Sequence, residues 1–329
     1  MGLRRRAAGP HIYPVGVGSI ERVTVIFPGA LGDFLLALPA LRGLRARHAG
    51  APLTLVVAGH VLALARLAQV ADGVASLDAA SAAWLFGGET LPPWLDGQPV
   101  VYSWLGVGDA ALRARLGRRA AALHCFAVER GPGRLHAAAA YARAVGIVAD
   151  ARTLAAEAAI RPPTSPTADA FAAGRGRLLA IHPGAGSRAK RWDAAGFVRV
   201  AEWWRRGGGS LVEIAGPAEA GDPLLLGAPA ARDLPLPDLA ALLARATAYL
   251  GNDSGVSHLA AAVGVPSVVL FGPTDRRRWR PLGTHVGALQ ARGAGPDGIT
   301  LAALPTARVV GALRRLALTT PSPDISVRA

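Results

Sequence analysis

The sequence is short of several things. Among 329 residues it has one cysteine, Cys125, and among its 36 long cations one lysine, Lys190; aromatic side chains make up only 5%. A lone cysteine has no partner for an intrachain disulfide and excludes the paired-thiol spacing of a structural zinc site. Its thiol reads as a small buried apolar group. With few aromatics, the core must be built from Leu, Val and Ala, which suits layered α/β packing. The hydrophobic content of 51% is inflated by Ala and Gly. Long apolar runs are lacking too. The longest, 51–65, is interrupted by Gly59-His60 and is too short to span a bilayer. The basic start Met1-Gly-Leu-Arg-Arg-Arg6 is followed over 7–20 by two prolines, His11 and several glycines, which is not a signal-peptide core. These absences predict a soluble, cytoplasmic chain.

The scarcity of lysine is informative. Arg serves at most surface positions, whereas a compact ammonium is not interchangeable with it at a tight phosphate site. Lys190 is therefore a candidate phosphate ligand. The net charge of +14 implies polyanionic partners: nucleic acid, an anionic membrane surface or phosphorylated substrates. The charge is spread along the whole chain, without the arginine-aromatic interleaving of a nucleic-acid platform, so no nucleic acid is expected.

At roughly 100–200 residues per domain, this length predicts two domains. Residues 22–28 (RVTVIFP) read as the first strand, and a glycine-bearing turn, Gly29-Ala-Leu-Gly-Asp33, leads into a helix over 34–48. Pro39 should kink that helix or mark its first turn. Strands at 53–58, 74–77, 100–104 and 122–126 then alternate with helices at 61–70, 109–116 and 136–145, which predicts a parallel sheet. Residues 84–98, rich in Pro, Gly and Trp, read as loop. Arg161-Pro-Pro-Thr-Ser-Pro-Thr167 reads as a linker between domains 1–160 and 168–329.

The second half restarts the pattern. A strand over 178–183 is followed by the loop Gly184 to Trp192 and by a helix capped by Asp193, with Phe197, Val200, Ala201 and Trp204 on its apolar face. After a strand over 210–215, a short helix is expected within 234–246. Ala248-Tyr-Leu-Gly-Asn-Asp-Ser-Gly-Val-Ser-His258 then reads as strand, polar loop and helix, with Ser254 as N-cap and Gly264 just past the helix end. A strand over 265–271 and a helix over 306–318 complete the pattern, flanked by a loose leader, 1–20, and a frayed tail, 319–329. Two doubly wound halves are expected to leave a cleft, where loops at the carboxyl ends of strands bind ligands.

Each candidate has two readings. Asp33 stands at a strand-to-helix junction and either caps the helix or acts as a general base toward a hydroxyl nucleophile. The loop His182-Pro-Gly-Ala-Gly-Ser-Arg-Ala-Lys-Arg-Trp192 is either a basic surface loop or a diphosphate cradle, in which backbone N–H groups around Gly184, Gly186 and Ser187 surround oxygens and Lys190 supplies a point charge. Glu219, after Gly216-Pro217, is either a solvated charge or an acceptor for ribose hydroxyls. Asp253, Ser254 and Gly255 suit a sugar hydroxyl and phosphate oxygens at a helix N-terminus. His258, one turn into that helix, either reaches the same anion or packs. No His, Cys and carboxylate spacing suggests a metal site, and no cofactor is expected.

Taken together, GALGDFLLALPALRGLR (29–45), HPGAGSRAKRW (182–192), GPAEA (216–220) and GNDSGVSHLAAAVGVPSVVLFGPTD (251–275) resemble glycosyltransferase family nine, the bacterial heptosyltransferases of lipopolysaccharide core assembly. The resemblance implies the α/β GT-B fold, two Rossmann-like domains with acceptor bound by the first and nucleotide-sugar by the second. It implies inverting heptose transfer from an ADP-activated donor to an anionic glycolipid at the inner membrane surface, without an essential metal. In this alignment Asp33 matches the family's proposed base, Lys190 its diphosphate lysine and Glu219 its ribose glutamate. Asp253 matches the aspartate that contacts the donor sugar, and Ser254 and Gly255 match the phosphate pair. Leu234 falls near the adenine pocket. Gly32, Arg42 and Arg113 are acceptor-side candidates; Arg42, Arg45, Arg47 and the arginines of 113–119 read either as a group holding the acceptor at a membrane face or as solvated helix faces. The chain departs from the family in having Ser254 where Thr is frequent, and Gly-Ser-Arg-Ala before Lys190 where some members carry paired hydroxyls. Residues 60–175 carry no matching motif. Two other functions remain open: a nucleotide-sugar epimerase or hydrolase on the same residues, and a non-catalytic anion or nucleic-acid binder suggested by the net charge of +14.

Overall fold

The computed structural model describes residues 22–291, 294–295, 298–299, 301 and 304–319. The expected leader lies outside the described residues, as does the expected tail beyond Thr319.

The first sheet has five parallel strands: β1 (Val23–Phe27), β2 (Leu53–Val57), β3 (Gly73–Ser76), β4 (Val100–Ser103) and β5 (Ala122–Cys125), in the order β3-β2-β1-β4-β5. A parallel sheet needs crossover connections, which helices α1 (Leu31–Arg47), α2 (Leu62–Leu67) and α3 (Ala110–Gly117) provide. Every residue of β1, β4 and β5 is buried, as expected of a sheet covered on both faces. The core joins Ile26, Val56, Val101 and Leu123 of the strands to Leu112 and Leu116 of α3.

Two local expectations change here. Helix α1 begins at Leu31 rather than Phe34, with Ala30 as its N-cap, so Asp33 lies inside the first turn and does not cap it. Pro39 sits in the interior of α1, where it contributes no N–H to the ladder. Residues 84–98 are not plain loop. They hold 3₁₀ turns at Ala80–Phe86 and Pro93–Leu95, and Trp84 and Trp94 are buried in the core. The large rings supply apolar area that a short polar connection would not.

The second sheet has six parallel strands: β6 (Leu178–His182), β7 (Ser210–Ala215), β8 (Ala230–Arg232), β9 (Ala248–Asn252), β10 (Ser267–Phe271) and β11 (Val286–Gln290), in the order β11-β10-β9-β6-β7-β8. Helix α4 (Ala137–Ala144) precedes this sheet, as do α5 (Ala151–Glu157) and α6 (Pro166–Ala172). The sequence pattern did not mark α5 or α6. Asp150 and Ser165 cap them, accepting from the N–H groups of Thr153 and Ala168. Helices α7 (Ala194–Arg206), α8 (Leu236–Arg245), α9 (Gly255–Ala262), α10 (Arg276–Trp279) and α11 (Thr306–Thr319) follow, with a two-residue antiparallel pair, β12 (Ala294–Gly295) and β13 (Gly298–Ile299), before α11. Phe197, Val200, Ala201 and Trp204 of α7 join Val309 and Leu313 of α11 over Leu179, Ile181, Leu250 and Leu270 of the sheet. Gly264 closes α9 with φ of +85°, a conformation glycine adopts without strain.

By contact, the chain divides into two compact units. Of the described residues, one unit takes 22–30, Ala37–Gly131 and Ala140–Val148. The other takes Leu31–Leu36, Pro132–Ala139 and the chain from Ala149 on. Among the described residues, no helix is long and apolar enough to cross a membrane.

Candidate functional site

The register of the second sheet assembles the site. Strands β9, β6 and β7 are adjacent and parallel, with His182 opposite Gly251 and Ile181 opposite both Leu250 and Glu213. Their carboxyl ends therefore release three loops side by side: 183–193 after β6, 216–222 after β7, and the Asp253-Ser254 junction into α9. This is the position at which open α/β sheets bind ligands.

The first loop carries the lysine. A single 3₁₀ turn, Arg188–Lys190, brings Lys190 back over the sheet, where its Nζ lies 2.7 Å from Oδ2 of Asp253. Asp253 is buried, and its backbone N–H donates to the carbonyl of Leu270. Gly186 and Ser187 are exposed at the outer edge of the loop. Gly184 is buried against Glu219, so closely that a Cβ at this position would run into the carboxylate. Glycine here leaves the carboxylate its place; any side chain would displace it.

Glu219 closes the second loop. Its Oε2 accepts from the Gly216 N–H at 3.0 Å, and its Oε1 lies 3.5 Å from the Arg191 guanidinium. Nε2 of His182 faces Oε2 at 3.5 Å, too far for a well-formed hydrogen bond. Burial alone pushes the Glu219 carboxyl up, but His182, the Gly216 N–H and Arg191 together outweigh it and leave the group below its usual range. It is an anion whose remaining lone pairs suit hydroxyl donors. Arg191 also pairs with Asp222 at 2.5 Å. Beside Glu219 and Arg191 opens a cavity of about 320 Å³, walled by Pro183, Arg188, Trp192 and Leu225. Leu234 is half-buried between β8 and α8 and does not line it.

Ser254 is the N-cap of α9, but its hydroxyl makes no capping bond to the helix. It lies instead 3.3 Å from Nδ1 of His182 and 3.4 Å from Oγ of Ser257. A buried polar layer thus runs below the site from Glu219 through His182 and Ser254 to Ser257, which meets the Tyr249 hydroxyl at 2.9 Å. His258 is buried in α9, and burial pushes its imidazole down to about 4, against the opposing pull of Asp253. It is neutral at pH 7.

Within the same contact unit, a Cβ on Gly32 would lie 3.2 Å from Cδ2 of His258 and 3.7 Å from Cα of Gly255. Asp33, the next residue, is half-buried. The arginines of the first unit have other occupations. Arg113 donates to the carbonyls of Gly106 and Val107, and Arg115 donates to the Gly88 carbonyl and lies over the Trp84 ring. Arg42 is half-buried on α1. Among the described residues, no group of three His, Cys, Asp or Glu is placed to hold a metal ion.

Sequence reasoning missed His182 and Asn252 as parts of the site. His182 begins the quoted loop motif but has no evident partner in the sequence, and Asn252 lies within what reads as strand and polar loop, where it ends β9. The only signal was their position beside residues that were chosen.

The family model described as Glycosyltransferase family 9 (heptosyltransferase) matches residues 133–297. Two curated relatives are both named lipopolysaccharide heptosyltransferase 3. One, from Escherichia coli, is 49% identical over 45 residues, or 14% of this chain and 13% of that protein. The other, from E. coli strain K12, is 33% identical over 113 residues, or 31% of this chain and 33% of that protein. The chain thus aligns with no more than about a third of the length of either.

Solved structures align over nearly their whole length. The glycosyl transferase family 9 protein from Veillonella parvula DSM 2008 has a TM-score of 0.72 at 19% identity, covering 93% of this chain and 100% of that one. The E. coli ADP-heptose lps heptosyltransferase II gives 0.67 at 17%, covering 90% and 98%. The E. coli heptosyltransferase WaaC, solved with ADP, gives 0.63 at 17%, covering 90% and 100%. The likeness is one of fold, and it carries the α/β GT-B class.

Proposed function

Because the chain belongs to glycosyltransferase family 9, we propose that it is an inverting transferase moving a heptose, or a related sugar, from an ADP-sugar to a lipopolysaccharide-core-type acceptor. The observation that carries the reading is the convergence of Lys190, Glu219, Asp253 and Ser254 at the ends of three adjacent strands, with the lysine 2.7 Å from the aspartate.

In this reading the donor diphosphate lies between Lys190 and the N-terminus of α9 at Ser254-Gly255, with Gly184, Gly186 and Ser187 at the loop edge. The ribose hydroxyls donate to Glu219, the adenine lies toward Leu234, and Asp253 meets the sugar. The Asp33 carboxylate takes the proton from an acceptor hydroxyl. The oxygen so released attacks the anomeric carbon from the face opposite the diphosphate. The bond from that carbon to the diphosphate oxygen breaks, and ADP leaves with its electron pair. The charge that develops on the leaving oxygen is met by the Lys190 ammonium and the first-turn N–H groups of α9. Fixed donors aimed at developing charge contribute about 3–4 kcal/mol each in comparable sites. His258, neutral and buried, supports the α9 N-terminus by packing. The acceptor is an anionic glycolipid at the inner face of the cytoplasmic membrane, met by Gly32 beside the Asp33 base; Arg113, already donating to the Gly106 and Val107 carbonyls, is a weaker candidate contact.

The test is calorimetric titration of the protein and of Lys190→Ala with ADP, UDP and GDP. Selective ADP binding, weakened in the variant, supports the reading. Selective binding of UDP or GDP discards ADP-heptose as donor, and no nucleotide binding overturns the donor site.

A further inference from the structure

Asn252 has no role in the account above, yet it is fully buried and uses both ends of its amide. Its Nδ2 donates to the carbonyl of Pro183 at 2.7 Å and to that of Gly184 at 3.3 Å. Its Oδ1 accepts from the backbone N–H of Trp192 at 3.1 Å. The orientation follows from the partners: turned over, the amide would set its oxygen against two carbonyls and its NH₂ against an N–H. One side chain at the end of β9 therefore ties down both ends of the loop 183–192.

Between those ends the loop is held by two side chains of its own: Lys190 meets Asp253, and Arg191 reaches the Ala185 carbonyl, Glu219 and Asp222. Residues 186–189 are exposed, and the only regular structure is the turn at Arg188–Lys190. The far end is seated a second time, since the buried Trp192 indole donates to the Leu304 carbonyl at 3.2 Å. The tether itself is held, because the Asn252 carbonyl accepts from the Ser257 hydroxyl at 2.5 Å. The next residue is Asp253, the partner of Lys190. Two adjacent residues, Asn252 and Asp253, thus set the lysine loop and the carboxylate that it faces.

We infer that Asn252 is a positioning residue for the donor diphosphate, holding the Lys190 loop in register with Asp253 and Ser254. The inference rests on the reading of Lys190 as the diphosphate lysine. An asparagine needed only to satisfy buried backbone groups would affect stability and leave the diphosphate no more dependent on it than any other ligand part.

Two measurements on the full chain separate these roles and separate the inference from its premise. The first is digestion by a lysine-specific protease below the unfolding transition. The chain offers that protease one target, the bond after Lys190. Cleavage there reports opening of this loop alone. In Asn252→Ala and in the near-isosteric Asn252→Asp, cleavage should quicken by at least roughly tenfold, the size of a single lost buried hydrogen bond. The second is titration with ADP and AMP. ADP affinity should fall roughly tenfold in either variant, AMP affinity should hold within about twofold, and the loss should vanish when Lys190 is already Ala.

Unchanged cleavage overturns the tether whatever the nucleotides do. Quickened cleavage with equal losses of ADP and AMP, or with losses additive to Lys190→Ala, overturns the positioning role and leaves a structural one. Quickened cleavage together with an ADP affinity indifferent to Lys190→Ala leaves the tether standing and overturns the donor-site premise, and with it the positioning of a diphosphate. If the Ala variant does not fold, Asn252→Asp carries the same comparisons, since it keeps the shape and the acceptor for Trp192.

Discussion

The ammonium of Lys190 and the carboxylate of Asp253 face each other at 2.7 Å, the lysine side chain 34% exposed and the aspartate 8%. A partly exposed pair of this kind contributes little to stability, about 1 kcal/mol or less. On the proposed reading its consequence is for binding, because a diphosphate seated at Lys190 has to compete with Asp253 for the ammonium.

The two partners should therefore respond oppositely to ADP. Lys190→Ala should lower ADP affinity by about ten- to a hundredfold, the range of one charge-assisted hydrogen bond. Asp253→Asn should keep or raise ADP affinity while transfer falls, since the lysine is released but the sugar contact is lost. Calorimetry with ADP, paired with a transfer assay, reads both. Equal loss of ADP binding in both variants would remove the competition.

Asp33→Ala should abolish transfer and leave ADP affinity unchanged. The aspartate lies inside the first turn of α1, whose N-cap is Ala30. Replacing it with the best helix former should not weaken the helix by more than a few tenths of a kcal/mol. Turnover within twofold of the wild type would take Asp33 out of the base role.

Gly184→Ala should act through Glu219. The added methyl occupies the space of the carboxylate, which must then swing away from the Gly216 N–H and from His182. Affinity for ADP should fall while affinity for inorganic diphosphate, which has no ribose, holds. Equal loss of both would place the damage in the loop as a whole rather than at Glu219.

His258 makes stability depend on pH. Its imidazole is held down to about 4 in the folded chain and is near 6.5 in a free one. Between those values the unfolded state binds the extra proton, so stability falls as pH falls from 6.5 to 4 and levels off below. The loss from this group is at most about 3 kcal/mol. Burial also lowers His48, His124 and His136, which add to the slope in the same direction. Thermal unfolding of His258→Gln should show a shallower decline over this window. An unaltered slope would mean that the imidazole is not neutral in the folded state.

What the sequence determined by itself is whatever depends on near neighbours along the chain. Apolar runs marked β1, β6, β7 and β10, because a buried parallel strand needs little besides such residues. Three- and four-residue spacing marked the face of α7, and all four residues chosen there are in the core. Turn and cap chemistry placed Ser254 and Gly264. The motif residues were visible as residue types at strand exits, and the lone lysine stood out by composition.

Tertiary structure decided what depends on distant partners. The three-residue β8 and the helices α5 and α6 carry too short a pattern to stand alone and are settled by caps and neighbours. Trp84 and Trp94 sit in a stretch with loop composition, yet they join Val56, Val101, Leu112 and Leu116 in one buried cluster whose members come from distant parts of the chain. The hydroxyl of Ser254 leaves its helix for His182, 72 residues earlier, and Asn252 bonds across 60 to 69 residues to both ends of the lysine loop. No local period encodes such bonds. They form because buried polar groups must find partners, and in a parallel sheet those partners come from adjacent strands far apart along the chain.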